Sequence, residues 1–392
     1  MILGVPKETQ PDERRVALVP GVVPTLSRVG LQVMVESGAG AASGHPDAAY
    51  AEKGAHVSAS RDEVFGSAAV ILQVQGCGAH RGADARDLER LRDGQVIIAL
   101  FDPLGSWDAI REVARTGAVA FALELLPRVA RAQSMDVLSS MATLSGYKAV
   151  LLGAVHLPKV LPMLMTAAGT LTPARVLVLG AGVAGLQAIA TARRLGAIVE
   201  AYDVRPGVKE QVESLGARFL DLPLEPGRAE DPSGYATAQD EAFYGRQREL
   251  LSRAVAKSDL VITTALVPGA KAPTLVSAEM VAAMTPGAVI VDMAAEQGGN
   301  CALTRLDSTV VEHGVTILGP VNLPATVPHH ASQMYARNVT AFLLHVVREG
   351  AIQSDRADEI VRETLLTQGR EVVHPQGRAA LGLVPAGAKR GV

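Results

Sequence analysis

The run Arg175-Val176-Leu177-Val178-Leu179-Gly180-Ala181-Gly182-Val183-Ala184-Gly185 lies near the middle of the chain, and Asp203 follows the next apolar run, Ile198 to Tyr202. A β-type run, a Gly-x-Gly-x-x-Gly turn, a helical pattern and an acid about 18 residues beyond the last glycine together specify a βαβ unit that holds a dinucleotide. Gly180 allows the tight turn out of the strand, Gly182 lets backbone approach a pyrophosphate, and Gly185 lets the helix pack closely on the sheet. The pyrophosphate then rests on the helix N-terminus, beside Val183 and Ala184. Glycine-rich turns are common, so the context carries this reading.

Outward from that unit, short apolar runs alternate with helical patterns. One series comprises Ile2 to Val5, Leu31 to Val35, Ala69 to Val74, Val96 to Leu100 and Val119 to Leu123. A second comprises Val176 to Leu179, Ile198 to Tyr202, Leu260 to Thr264, Ala288 to Asp292 and Val315 to Leu318. This alternation predicts an α/β fold of two Rossmann-like, doubly wound parallel-sheet domains. A long helix from about Ser134 to Leu151 joins them, and a helix from about Ala331 to Glu349 returns to the first. The expected boundaries are 1–140 plus 330–392 for a discontinuous first domain and 141–329 for the dinucleotide-binding one. The tail from Gly382 is rich in Gly and Ala and is expected to be mobile.

A net charge of −3 leaves no electrostatic footprint for nucleic acid. Cys77 and Cys301 lack metal-ligand spacing, and so few cysteines predict a reducing, cytoplasmic setting. Met1 to Val5 has no signal-peptide pattern. Lys148, His156, Pro158, Lys159 and Pro162 interrupt the apolar stretch from Tyr147 to Leu171, so no direct membrane insertion is expected. His329-His330 lacks partners at metal spacing and is read as solvent-exposed or capping, with no metal expected. No nucleophile elbow supports hydrolysis.

Asp203 suits the ribose hydroxyls of an adenosine and repels a 2′-phosphate, which favours NAD, although Arg205 nearby is able to serve a phosphate. The competing reading of Asp203 is a cap or turn residue. Arg128, Arg131, Gln133, Asp136 and Ser139 crowd into twelve residues after the strand Val119 to Leu123, where α/β ligand crevices form. An amide, a carboxylate and a guanidinium there suit a nicotinamide carboxamide. Equally, the segment reads as a helix start with Ser134 as cap and Asp136 favouring the dipole. The stretch Leu224 to Gly245 reads either as a movable flap or as an inert insertion.

The chain resembles the NAD(H)-binding component of proton-translocating transhydrogenases, in a superfamily shared with alanine dehydrogenase. Four blocks carry the resemblance: Gly4-Val5-Pro6-Lys7-Glu8 with Arg14-Arg15-Val16-Ala17; Arg131-Ala132-Gln133-Ser134-Met135-Asp136; the fingerprint through Asp203-Val204-Arg205; and Thr263 to Gly269 with Glu296-Gln297-Gly298-Gly299-Asn300-Cys301. The resemblance implies that Arg128, Gln133, Asp136 and Ser139 form the loop at the nicotinamide end, with Val129, Ala130 and Ser134 as further contacts. Gln133 would link two nicotinamides. It also implies that Tyr235 belongs to a mobile loop closing over nucleotide, and that Gly234, Gln247, Ala265 and Leu266 contact the cofactor. Asp203, Val204 and Arg205 match the adenosine-ribose segment and Val183 the pyrophosphate turn.

The implied activity is direct hydride transfer between NAD(H) on this chain and NADP(H) on a partner subunit. Membrane-spanning proton-channel subunits would couple the transfer to proton translocation. The chain would then be a homodimer, cytoplasmic and peripheral on the inner face of the cytoplasmic membrane through its partners. Alanine dehydrogenase is the alternative, a noncatalytic NAD-binding module the third reading. Arg15 keeps the carboxylate-binding arginine of alanine dehydrogenase, but Gln75 stands where its lysine is expected, Ala99 near its histidine and Glu296 where its aspartate is expected. Reducing an imine needs a proton as well as a hydride, whereas exchange between two nicotinamides needs positioning and exclusion of water. Those absences favour transhydrogenation.

Overall fold

The computed structural model describes residues 1–76, 86–222, 240–267, 269–348 and 350–383. The chain forms two compact units, Met1–Met141 with Ala325–Val392, and Ala142–Pro324. Cys77, the expected loop residues 224–239 with Gly234 and Tyr235, and Pro268 lie outside the described residues.

In the first unit six parallel strands lie in the order Val119–Ala122, Val96–Leu100, Val70–Gln75, Ile2–Val5, Gln32–Glu36, His56–Ser58. Leu365–Gln368 and Glu371–Val372 extend the Val119–Ala122 edge antiparallel, so the C-terminal segment completes this sheet. The winding reverses between Ile2–Val5 and Val70–Gln75, the place where doubly wound sheets open a crevice at their strand C-termini.

In the second unit the order is Arg218–Phe219, Ile198–Tyr202, Arg175–Leu179, Leu260–Thr263, Val289–Asp292, Val315–Gly319, Ser308–Glu312, parallel except for the last. Alternation along each strand divides its residues between two cores. Val176, Val178, Leu260 and Ile262 enter one, and Leu177, Leu179, Val261 and Ile290 the other. Helices therefore cover both faces, which is why these strands are apolar throughout rather than alternating. The reversal falls between Arg175–Leu179 and Leu260–Thr263, directly behind the glycine turn.

Two helices start elsewhere than expected. The joining helix spans Val137–His156, because Ala130–Met135 is a 3-10 segment and Asp136 is extended. It is long and apolar enough to cross a membrane by length and composition, and Val137, Met141, Ala149 and Val150 along it are buried in the protein. The return helix spans Pro328–Val346, with proline in its first turn where a missing N–H costs nothing.

Candidate functional site

Each glycine of the fingerprint meets a distinct constraint. Gly180 has φ +100°, and a Cβ on it would lie 2.6 Å from Thr264 Oγ1. At Gly185 a Cβ would stand 1.9 Å from the Gly180 carbonyl oxygen, so the helix Val183–Arg194 reaches the turn only because this residue has no side chain. Gly182 is different: its nearest neighbour would be Arg205 Nη2 at 4.0 Å. Two glycines thus serve internal packing while the middle one leaves an open approach to a helix N-terminus, which fits a pyrophosphate. Val183 and Leu266 are exposed apolar side chains of the same unit, at 44% and 40%.

Asp203 is a turn residue, as the competing reading allowed, and not a helix cap. Its Oδ2 accepts the Ala181 N–H at 2.7 Å and Arg205 Nη2 at 2.8 Å; its Oδ1 accepts the Arg205 N–H and Nε, both at 2.9 Å. One carboxylate therefore ties the fingerprint turn to the end of the neighbouring strand and holds Arg205 in a two-pronged ion pair across Val204. Behind this strand end, Gln247 Nε2 donates to the buried Tyr202 hydroxyl at 2.9 Å, and burial pushes that hydroxyl up to about 12.

The turn beyond Leu260–Thr263 is fixed by groups to which the sequence reading gave no role of their own. Thr264 Oγ1 donates to the Gly180 carbonyl at 3.0 Å. The fully buried Asn300 accepts the Ala265 N–H at 3.0 Å and donates to the carbonyls of Ala265 and Pro273. Fully buried Asp292 accepts from Thr263, Thr304 and the N–H groups of Ala294 and Cys301. Gly146 of the joining helix comes against the Ala184 backbone, where a Cβ would lie 2.0 Å from the Ala184 carbonyl oxygen. Only Asn300, after two positive-φ glycines in the run Gln297-Gly298-Gly299-Asn300, carried a local signal.

In the first unit the segment from Arg128 to Ser139 is continuous. Arg128, Ala130, Arg131, Gln133 and Ser134 are exposed, whereas Ala132 and Met135 are buried beneath them. Asp136, not Ser134, caps the joining helix, accepting the Ser139 N–H at 2.9 Å and the Ser139 hydroxyl at 2.6 Å. The helix-start reading of this pair is therefore correct, with the cap reassigned. Ser134 is held instead through its carbonyl, which accepts from Asn338 Nδ2 at 2.8 Å. Arg131, exposed, pairs with Asp358.

Beside the switch point of this sheet lies a buried polar group. Arg15 pairs with Glu13 at 2.6 Å, and Gln75 Nε2 donates to Glu13 at 3.2 Å. Glu8 accepts the Val74 and Gln75 N–H groups, and Glu124 those of Phe101 and Asp102. Burial, with the charge of Glu13, pushes Glu8 up to about 8, and burial pushes Glu124 up to about 7. Ala99 is fully buried and Glu296 is exposed in the other unit. His329 and His330 are exposed, as read; His329 also stacks on His45 with ring centroids 4.7 Å apart, and its Nδ1 lies 2.9 Å from the carbonyl of Ser43, the last residue of a 3-10 turn. Among the described residues no group of three or more His, Cys, Asp or Glu is placed to hold a metal ion.

The predicted residues thus gather into two sets. The second unit brings Gly180, Gly182, Val183, Ala184, Gly185, Asp203, Val204, Arg205, Gln247, Ala265 and Leu266 to strand C-terminal ends. The first carries Arg128, Val129, Ala130, Gln133, Ser134, Asp136 and Ser139 on one segment.

Models of the alanine dehydrogenase/PNT N-terminal and C-terminal domains match residues 4–145 and 149–375. The chain is 43% identical over 379 residues to an NAD(P) transhydrogenase subunit alpha chain of Rhodospirillum rubrum, covering 96% of this chain and 98% of that one. A transhydrogenase structure from Sinorhizobium meliloti superposes with a TM-score of 0.83 at 43% identity, covering 96% of this chain and 100% of the other. Alanine dehydrogenase of Mycobacterium tuberculosis is 30% identical over 390 residues, covering 98% and 97%.

Proposed function

The chain belongs to the alanine dehydrogenase/PNT family, as a homologue of NAD(P) transhydrogenase subunit alpha, and from that premise we propose that it binds NAD(H) and exchanges hydride with NADP(H) held on a partner subunit. The observation that supports the cofactor choice is the Asp203 carboxylate, which accepts from the fingerprint turn and holds Arg205 in an ion pair, keeping that guanidinium engaged away from a 2′-phosphate. When bound, the nicotinamide supplies or takes the hydride; the chain's own residues bind, orient and exclude water. Gly182 and the start of the helix Val183–Arg194 receive the pyrophosphate, and Val183 and Leu266 give apolar cover.

Arg128, Gln133, Asp136 and Ser139 form the nicotinamide-end segment, in which Gln133 offers an amide rather than a titrating group. The contrast with alanine dehydrogenase favours this reading. Gln75, whose amide is spent on Glu13, and Ala99, an apolar buried residue, have no proton to move. In the cell the chain works as a homodimer, cytoplasmic and peripheral on the membrane, with membrane-spanning subunits coupling exchange to proton translocation.

The test mixes the purified chain with an NADP(H)-binding transhydrogenase domain and follows reduction of an NAD analogue by NADPH. NAD with L-alanine is offered in parallel. Exchange in the mixture and no turnover of alanine is expected. Turnover of alanine by the isolated chain establishes the amino-acid dehydrogenase instead, and nucleotide binding with neither activity leaves a binding module.

A further inference from the structure

Four side chains of the return helix Pro328–Val346 recur every third residue, and each meets a different segment of the first unit. His329 Nδ1 lies 2.9 Å from the Ser43 carbonyl, and Ser332 Oγ accepts the Val16 N–H at 3.0 Å. Tyr335 donates to the Gln73 carbonyl at 2.7 Å, and Asn338 Nδ2 to the Ser134 carbonyl at 2.8 Å. Residues at i and i+3 are neighbours on a helix surface, so these four form one inclined polar row. The row ties down the segments that follow the strands Gln32–Glu36, Ile2–Val5 and Val119–Ala122, and the strand Val70–Gln75 itself.

We propose that Asn338 is the positioning residue for Gln133. The carbonyl that it holds belongs to Ser134, the residue immediately after Gln133, and the bond spans 204 residues of sequence. Within the six-residue 3-10 segment the buried side chains are Ala132 and Met135. Its flanking backbone bonds are Ala132 N–H to Val129 at 3.0 Å and a long one from Asp136 N–H to Gln133 at 3.4 Å. Gln133 itself is exposed, so no packing around its side chain sets where it points.

Asn338, in contrast, is 7% exposed, and its Oδ1 is buried with no hydrogen-bond partner among the described residues. A buried amide whose oxygen goes unmet is costly, and a leucine of similar volume would remove that cost. What the asparagine adds is an N–H donor on Nδ2, given to the Gln133 segment. The side chain touches no reacting atom. It acts through the backbone on the residue that aligns the rings, and the inference rests on that reading of Gln133.

Asn338→Asp tests this in the full chain, with Gln133→Asn beside it. The aspartate has the shape of asparagine, loses the donor when ionised and regains one, an O–H, when protonated. Hydride exchange with the NADP(H)-binding domain is measured from pH 6 to 8 as the ratio of variant to wild type. Glu8, Glu124, Tyr335, Arg131, Asp358 and His345 are present in both proteins, so the ratio removes the part of their contribution that the two share. NADH affinity is read by fluorescence titration and folding by the thermal midpoint.

The ratio is expected to fall about tenfold at pH 8 and to recover towards pH 6, with NADH affinity within about threefold throughout. Asn338→Leu should be slow at every pH. An Asn338→Asp rate equal to wild type beside a slow Gln133→Asn overturns the role of Asn338. A Gln133→Asn variant at the wild-type rate overturns the reading of Gln133 instead. Rate, affinity and midpoint of Asn338→Asp falling together, with no recovery at pH 6, makes the residue merely structural and also overturns the proposal.

Discussion

At the fingerprint turn glycine and near neighbours set the shape: Gly180 has φ +100°, a Cβ on Gly185 would lie 1.9 Å from the Gly180 carbonyl oxygen, and Asp203 and Thr264 bond the turn from the adjoining strand ends. At the segment Ala130–Met135 the shape is set from outside, by Asn338 on one side and by the Asp136–Ser139 cap on the other. Both segments follow a strand of a doubly wound sheet, and both present polar groups at its C-terminal end. The first, on the proposed function, is a rigid receptor for a group common to all dinucleotides. The second is an adjustable mount, whose aim depends on bonds made far along the chain.

The sharpest way to break this comparison is Gly185→Val. A branched side chain at that place forces the helix off the turn, and NADH affinity should fall more than about 100-fold in a fluorescence titration. Gly182→Ala, where the nearest atom is 4.0 Å away, should leave the fold intact and weaken NADH by less, because the added methyl intrudes only on the ligand's side. Equal effects of the two would mean that the glycines do not divide into packing and approach roles.

The difference also explains what is legible in the chain. Glycine positions, apolar runs and the acid after the next strand are local signals, and they locate the turn, the strands and Asp203. The expected start of the joining helix lies three residues early, because Ser134 and Asp136 are both good caps and only the structure shows which one accepts the Ser139 N–H. Asn338 leaves no trace in sequence: an asparagine within an amphipathic helix reads as a tolerated polar residue, and its partner lies 204 residues away. The role of Arg205 is open in the sequence for the same reason, since nothing in a linear pattern says that its guanidinium turns back onto Asp203.

A middle-sized effect probes that pairing. Asp203→Asn removes the charge that holds Arg205 and weakens the acceptor for the Ala181 N–H, so NADH affinity should drop about tenfold. Arg205, released from its carboxylate, then meets a 2′-phosphate without opposition, and the preference for NADH over NADPH should narrow. Competition titrations with the two nucleotides read both changes. An unchanged preference would place discrimination elsewhere in the site.

The smallest effect belongs to the first unit, whose buried carboxyls titrate near neutral pH. Glu124 is raised to about 7 chiefly by burial, against the two N–H groups that its Oε1 accepts, and Asp102 adds to the shift. In the unfolded chain the same group titrates near 4.5. The folded state therefore keeps its proton after the unfolded state has lost it. The stability tied to this proton is full below about 4.5 and is lost as pH rises through about 7. In Glu124→Gln the amide oxygen takes both N–H groups and nothing ionises, so the fall in thermal midpoint between pH 5 and pH 8 should shrink by about 2–4 °C. The slope that remains includes Glu8, raised to about 8, and His45 and His374, both lowered by burial, all present in both proteins. Trp107, the chain's single tryptophan, sits in this unit and reports its unfolding by fluorescence. Identical slopes in variant and wild type would mean that Glu124 is already ionised in the folded protein at pH 5.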